Sequence, residues 1–300
     1  MQLTGLHLLL TYQCTFECEH CFVWGSPWQT GTLTLANIRH IVHEAQDLGT
    51  ITSLYFEGGE PFLYYATLLA GVRLAKEAGF EVGIVSNGYW ATSVEDALEW
   101  LRPLAGLISD LSVSSDEYHY DEQLSREARH ARTAADRLRI PIGVISIAQP
   151  DDGEAATAVG QLPESESGVM YRGRAAEKLS GKARPHPWSQ FTACPHEDLR
   201  DPGRVHVDPL GNLHICQGLV IGNLFQTPLK EICERYDPEA HPIIGPLLHG
   251  GPIALAKDYG LAHRAAYADA CHLCYEARRA LRDRFPEVLT PDQVYGMGLP

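Results

Sequence analysis

Three cysteines fall within eight residues, in the run TYQCTFECEHC that follows the apolar, strand-like segment LHLLL. Cys14, Cys18 and Cys21 are spaced C-x3-C-x2-C, so a short loop at a strand end must turn its thiols to one point. Three thiolates hold a metal cluster on three corners and leave a fourth position open; an open iron can bind and activate a small molecule, whereas a fully ligated cluster carries electrons or holds structure. The competing reading is a zinc knuckle with a fourth ligand nearby, such as His20. Placement favours the open site, because α/β sheets and barrels gather ligands at the C-terminal ends of their strands.

The pattern around the triplet sets the fold class. Strand-like segments at Leu6–Thr11, Ser53–Phe56, Glu81–Ser86, Asp110–Ser114 and Pro141–Ile147 alternate with helical patterns, which predicts parallel α/β layers. In LTLANIRHIVHEAQDLG, Thr34 is placed to cap a helix whose apolar stripe is Leu35, Ile38, Ile41, Val42 and Ala45, with Gly49 closing it. Further helices are expected from about Leu63 to Gly79, after Ser93, and from Asp121 to Leu138. The stretch 150–168 is acidic and rich in Pro and Gly, hence a loop, and VMYRGRA reads as a sixth strand. RVHVDPLGNLHIC reads as a hairpin turning at Pro-Leu-Gly-Asn, and helical stretches then lead to CHLCYEARRALRDRF. The rhythm becomes irregular after Pro185, so residues 1–185 and 186–300 are expected to be two domains.

The 300 residues carry a formal net charge of −14, which argues against a nucleic-acid partner; the one basic stretch, 174–187, reads as a solvated loop. No run approaches the roughly 20 apolar residues that span a bilayer, so no membrane segment is expected. Eight cysteines without a basic, apolar secretory leader point to a reducing cytoplasm, where clustered thiols bind metal more often than they pair.

More motifs follow the strands in order. Glu57-Gly58-Gly59-Glu60-Pro61 ends the second; glycines there let backbone approach a ligand closely, or simply make a turn before a helix that Pro61 starts well. Ser86-Asn87-Gly88 ends the third, and Ser114 and Asp116 end the fourth, with Arg126 twelve residues after Ser114. Together these resemble the radical S-adenosylmethionine (SAM) enzymes. The resemblance implies a partial (β/α)6 barrel, TIM-like, whose Cys14, Cys18 and Cys21 hold a 4Fe–4S cluster with SAM chelated to its open iron. It places His20, in a position that is usually aromatic, with Glu57, Gly58, Gly59, Glu60, Ser114, Asp116 and Arg126 as SAM-binding residues, Arg126 as a clamp for the carboxylate or else a solvated helix position. Arg174, in a "GRA" segment, has two implied roles, a structural clasp or a ligand contact, of which the structural one is favoured.

Cys194, Cys216, Cys271 and Cys274 form a second set. Cys216 closes the G-x4-C element GNLHIC and the last two are spaced C-x2-C. This is similar to the twitch domain, a shortened relative of the SPASM domain, and implies a small C-terminal domain with one auxiliary 4Fe–4S cluster on four cysteines; a four-cysteine zinc site satisfies the same spacing. Cys233 stands alone and reads as a buried small hydrophobe. His206, His214 and His272 lie near this set as outer partners.

The implied activity is reductive cleavage of SAM to a 5′-deoxyadenosyl radical that takes hydrogen from a small molecule or peptide, with net oxidation or crosslinking helped by the auxiliary cluster and electrons from a flavodoxin- or ferredoxin-type donor. Redox-neutral epimerisation or rearrangement is the alternative within the class; a non-catalytic iron–sulfur or zinc scaffold is the alternative outside it. Cysteines beginning at residue 14 leave no room for an N-terminal peptide-recognition domain, which tilts the expectation toward a compact substrate. Trp24, Trp28, Tyr89, Trp90, Glu117, Tyr118 and His119 follow strand ends and are candidate pocket residues.

Overall fold

The computed structural model describes residues 1–120, 124–150 and 167–298. The alternation read from the sequence becomes β1 (Gly5–Thr11), α1 (Leu35–Leu48), β2 (Ser53–Gly58), α2 (Tyr65–Glu77), β3 (Glu81–Ser86), α3 (Val94–Leu101), β4 (Asp110–Ser114), α4 (Arg126–Leu138) and β5 (Ile142–Ile145). Local chemistry sets these boundaries. Thr34 and Asn37 form a reciprocal capping box at the start of α1, and Gly49 ends it with φ 76°. Ser93 and Ser125 cap α3 and α4 through their hydroxyls. Of the helix expected from Asp121, residues 121–123 lie outside the described residues and α4 begins at Arg126.

β1 to β5 are parallel and neighbour one another in chain order, the arrangement of a partial (β/α) barrel. Side-chain alternation then sorts the two faces. Phe56 packs between Ile38 of α1 and Gly71 of α2, and its register partners Leu8 and Ile84 share that helix-covered face. His7, Tyr55, Glu57 and Gly83 fall on the opposite, inner face, where the Tyr55 ring lies over Gly83.

The expected sixth strand does not form. Only Ser167 makes a parallel bridge, to Ile147, and Val169–Arg172 run irregularly into α5 (Arg174–Lys178). Arg174 donates its backbone N–H to Cys21 O at 2.9 Å, so the segment serves the cysteine loop instead of the sheet. Residues 151–166 of the acidic loop lie outside the described residues.

After residue 185 come β6 (His186–Pro187), β7 (Arg204–Val207), β8 (Asn212–Cys216), β9 (Leu219–Asn223), α6 (Leu229–Arg235), α7 (Ile244–Asp258), β10 (Ala266–Tyr267) and α8 (Ala270–Leu281). The expected hairpin is β7–β8, paired His206 to His214 and Val207 to Leu213. It does not stand apart: β7 pairs in parallel with β1, giving one eight-stranded sheet of order β5-β4-β3-β2-β1-β7-β8-β9. β6 and β10 form a separate antiparallel pair, α7 breaks at Gly250, Gly251 and Pro252, and Cys233 is buried in the main core. Among the described residues no helix is long and apolar enough to cross a membrane.

Asp208 anchors the hairpin turn. Fully buried, it accepts Tyr12 Oη at 3.0 Å, Asn212 Nδ2 at 2.9 Å and the N–H groups of Leu210 and Asn212 at 2.8 Å. His214 Nε2 lies 3.2 Å away, and the Gly218 N–H donates to His214 Nδ1, which leaves the ring proton on Nε2 toward Asp208. Burial raises the Asp208 carboxyl pKa, but the bonds from His214 and Asn212 outweigh it and hold the value below 3.8. A folded-state pKa below the unfolded one adds stability above the unfolded value, about 3.9, and that contribution is lost as pH falls through the folded value. Asp208→Asn is therefore expected to cost about 3 kcal/mol at neutral pH, with the deficit shrinking as pH falls below about 4. Urea unfolding at both pH values checks it; a deficit unchanged by pH contradicts it.

Candidate cofactor sites on two cysteine sets

The first set lies at the C-terminal end of β1, with Cys14 and Cys18 buried and Cys21 half-buried. Backbone N–H groups point at the sulfurs: Gly25 N to Cys21 Sγ at 3.2 Å and Phe16 N to Cys14 Sγ at 3.5 Å, with Asn87 Nδ2 also 3.5 Å from Cys14 Sγ. A Cβ on Gly25 would sit 3.4 Å from Cys14 Cβ and 3.6 Å from Cys21 Sγ, so the loop closes tightly around the thiols. Burial pushes the Cys14 thiol up to about 12 and raises Cys18 further, and each neighbouring thiolate adds to the rise. Three converging thiols are a donor set that a cation completes, and metal binding releases thiol protons.

Arg174 holds this loop shut. It is buried and donates from Nη1 to Cys18 O and from Nη2 to Gly25 O, both at 2.8 Å, with its guanidinium 5.2 Å from the centre of the Trp24 ring. Gly173 precedes it at φ 59°, where a Cβ would lie 2.5 Å from Phe22 Cα; only glycine lets this strap touch the loop. The structural clasp expected of Arg174 is what the structure contains.

The Gly58–Gly59 pair meets protein. A Cβ on Gly59 would sit 2.0 Å from Gln13 O, and one on Gly58, at φ 140°, 2.4 Å from Thr11 O. Gly59 N and Glu60 N donate to Thr11 O and Gln13 O at 2.7 and 2.8 Å, so the glycines let the end of β2 seal the floor of the cysteine loop. Glu60 accepts Phe62 N, Ser86 Oγ and Asn87 N at 3.0, 2.9 and 2.7 Å. Burial outweighs these bonds and raises its pKa to about 7.

Other expected cofactor residues have protein partners too. Glu57 alternates onto the inner face, its Oε2 3.0 Å from His7 Nδ1 and its Oε1 3.1 Å from His206 Nε2. Burial raises the Glu57 pKa, but the two imidazoles prevail and hold it well below the usual value. Ser114 ends β4; Asp116, just beyond, accepts Tyr118 N, His119 N and His119 Nδ1 at 3.1, 3.2 and 2.7 Å and shapes the following turn. Arg126 is exposed on the first turn of α4 and pairs with Glu127. His20 stays beside the thiols, 4.7 Å from Tyr118 and 5.2 Å from His119 between ring centroids, its buried Nδ1 without a partner. Burial lowers its pKa to about 4, so it is neutral at physiological pH. With Phe16 and Tyr120 these rings wall the space over the loop. Of the other aromatics, Trp90 is core, bonded to Ser86 and stacked on Phe62, Trp24 is bonded to Tyr275 Oη, and Trp28 is exposed.

The second set converges as the spacing suggested. Cys194, Cys216, Cys271 and Cys274 line one cavity together with Arg172, His196, Glu197 and Arg278. Both arginines are buried: Arg172 Nη1 donates to Cys216 Sγ at 3.1 Å, and Arg278 Nη1 to Gln217 O at 3.0 Å. Their Nε atoms are buried without protein partners, as suits groups that face an anionic centre. Burial pushes Cys274 up to about 12 and raises Cys271 well above the usual thiol value, so a bound cation would favour their thiolates. The three histidines expected as outer partners face elsewhere: His206 toward Glu57, His214 toward Asp208 and His272 toward Glu276. Arg278 was legible, since it lies one helical turn after Cys274; His196 and Glu197 carry no comparable signal.

Comparison with known proteins gives the following. Residues 8–140 match the family model described as Radical SAM superfamily. "Putative peptide biosynthesis protein YydG" of Bacillus subtilis (strain 168) is 32% identical over 111 residues, 37% of this chain and 35% of that protein. An S-adenosylmethionine-dependent nucleotide dehydratase of Fibrobacter sp. (strain UWH6) is 30% identical over 119 residues, 37% of this chain and 33% of that protein. The chain thus spans about a third of the length of these curated relatives. Among solved structures, native anSMEcpe with bound AdoMet shares the fold at a TM-score of 0.50 and 12% identity, over 95% of this chain and 98% of that one.

The clasp is open to a direct test. Arg174→Met keeps the side-chain stem but removes two charged bonds to carbonyls, so stability should fall by about 2 kcal/mol or more. In metal-free protein, Cys18 and Cys21 should alkylate several-fold faster, read by timed thiol labelling and mass spectrometry. Unchanged melting and labelling would show that the loop holds without the guanidinium.

Proposed function

We propose, from the match of residues 8–140 to the Radical SAM superfamily model, that this chain is an enzyme of that superfamily binding a 4Fe–4S cluster on Cys14, Cys18 and Cys21, SAM beside it, and a second cluster on Cys194, Cys216, Cys271 and Cys274. The observation that carries the reading is the pair of converging thiol sets, one of three and one of four, buried or half-buried and each lined by donors suited to sulfur anions. When bound, the first cluster and SAM supply a primary carbon radical strong enough to take an unactivated hydrogen.

This chain's own residues do the rest. The N–H groups of Phe16 and Gly25 and the Asn87 amide would stabilise the first set as thiolates, and Phe16, His20, Tyr118 and Tyr120 group their rings beside the loop. Neutral His20, with its free Nδ1, suits an aromatic heterocycle such as adenine, which offers both a face and an edge. These rings also exclude water, which protects a reactive intermediate. At the second set Arg172 and Arg278 offset the charge of four thiolates, suiting a closed site that exchanges electrons and binds no substrate. The substrate class we favour is a peptide or small molecule undergoing net oxidation or crosslinking; relatives named for peptide biosynthesis and for nucleotide dehydration support that breadth.

Anaerobic reconstitution tests this. About eight irons per chain are expected, with 5′-deoxyadenosine released from SAM on reduction. Replacing Cys14, Cys18 and Cys21 by Ala should leave about four irons and abolish the release. Replacing Cys271 and Cys274 should also leave about four irons but spare it. Zinc in place of iron, or intact SAM under dithionite, overturns the reading.

A further inference from the structure

We propose that His7, Glu57 and His206 form a binding site for a divalent transition-metal ion on the inner face of the sheet, apart from both cysteine sets. Three neighbouring strands supply it. β7 and β2 flank β1, and the register sets His7 opposite both His206 and Tyr55, with Glu57 two residues beyond Tyr55 on the same face. The sheet pairing that docks the C-terminal strands is therefore what completes the trio.

The geometry is that of converging ligands. His7 Nδ1, a Glu57 carboxylate oxygen and a His206 ring nitrogen all lie within 4.8 Å of one another. His206 Nε2 stands 3.1 Å from Glu57 Oε1, yet that oxygen accepts no aligned hydrogen bond although it is buried. His7 Nδ1 stands 3.0 Å from the other carboxylate oxygen, so both imidazoles turn a ring nitrogen toward Glu57. His206 Nδ1 is also buried and unpartnered. The His7 ring is held by stacking on Tyr55, with centroids 4.8 Å apart. Side-chain exposures of 19%, 12% and 9% leave the trio reachable from the inner face.

Two imidazoles and one carboxylate suit Zn²⁺, Fe²⁺, Mn²⁺ or Co²⁺ and leave coordination positions open. Here the open positions face the inside of the partial barrel, where water or a substrate oxygen would take them. The ion would anchor an oxygen-bearing substrate by direct ligation, a role independent of the cysteine chemistry.

Mn²⁺ is the probe, because a hard ion discriminates against thiolates. Cluster-loaded enzyme, freed of loose metal, is titrated anaerobically and bound Mn²⁺ followed by electron paramagnetic resonance. One equivalent should bind, with imidazole nitrogen coupling in the spin-echo modulation. Glu57→Gln preserves size and hydrogen-bonding capacity but removes the anionic ligand, and should weaken binding by more than about 100-fold; His206→Gln should do the same. Iron content and circular dichroism confirm that each variant folds. If wild-type enzyme binds no Mn²⁺, or if binding lacks nitrogen coupling, or if Glu57→Gln retains it, the trio is a hydrogen-bonded cluster and the proposal fails. If iron loading itself fails, the same titration on the zinc-loaded chain decides for or against the trio by the same outcomes.

Discussion

The cysteine loop runs from Cys14 to Gly25 almost without regular structure, so its carbonyls have no ladder to join. A buried guanidinium supplies what the backbone lacks: Arg174 bonds two of those carbonyls at once, and its own N–H takes a third. A charge with two good acceptors inside a protein is strongly directional, and removing either side leaves the other desolvated and alone. From the opposite side the Gly58–Gly59 floor fixes the loop to β2, and Glu60 ties that floor to Ser86 and Asn87. The Asn87 amide then reaches back to Cys14 Sγ. Strap and floor hold the carbonyls of the loop and its approach, and the amide reaches a thiol, so the three form one support around the cysteines.

The two cysteine sets receive different electrostatic help. The three-cysteine site leans on neutral dipoles, N–H groups and an amide, and the Arg174 guanidinium beside it is engaged with carbonyls. The four-cysteine site has two guanidinium groups at the cavity wall. Ionised together, four half-buried thiols would carry more negative charge than dipoles alone can offset, and Arg172 contacts sulfur directly. Arg172 also stands over the ring of Phe22, the residue after Cys21. A single short segment, Arg172–Gly173–Arg174, thereby touches both sets.

What was legible in the chain was what depends on neighbours in sequence. The caps at Thr34 and Ser93, the closing Gly49, the βα alternation and the hairpin turn were readable because three- and four-residue chemistry determines them, whereas the cap at Ser125 was passed over for a helix start at Asp121. The sites of thiol convergence were readable as spacing. What was not legible depended on distant segments meeting. VMYRGRA has strand composition, yet its backbone is turned to the cysteine loop by a contact about 150 residues away in sequence. The glycines after β2 carry no mark that says whether a ligand or a carbonyl will occupy their missing Cβ. Glu57 sits in a motif that suggests one partner, while strand alternation, a rule blind to motifs, delivers it to His7 and His206.

The pairing of β7 with β1 has a further consequence. β1, which bears the cysteine loop at its end, is an interior strand only because residues 204–207 hydrogen-bond along its flank. A shortened chain ending near residue 185 would keep every residue of the superfamily match and still expose Gly5 to Leu8 as an unpaired, apolar sheet edge. Such an edge recruits other chains. Self-association into strand-swapped oligomers or insoluble material is thus the intrinsic hazard of severing this protein at its apparent boundary, and the C-terminal third acts as the guard against it.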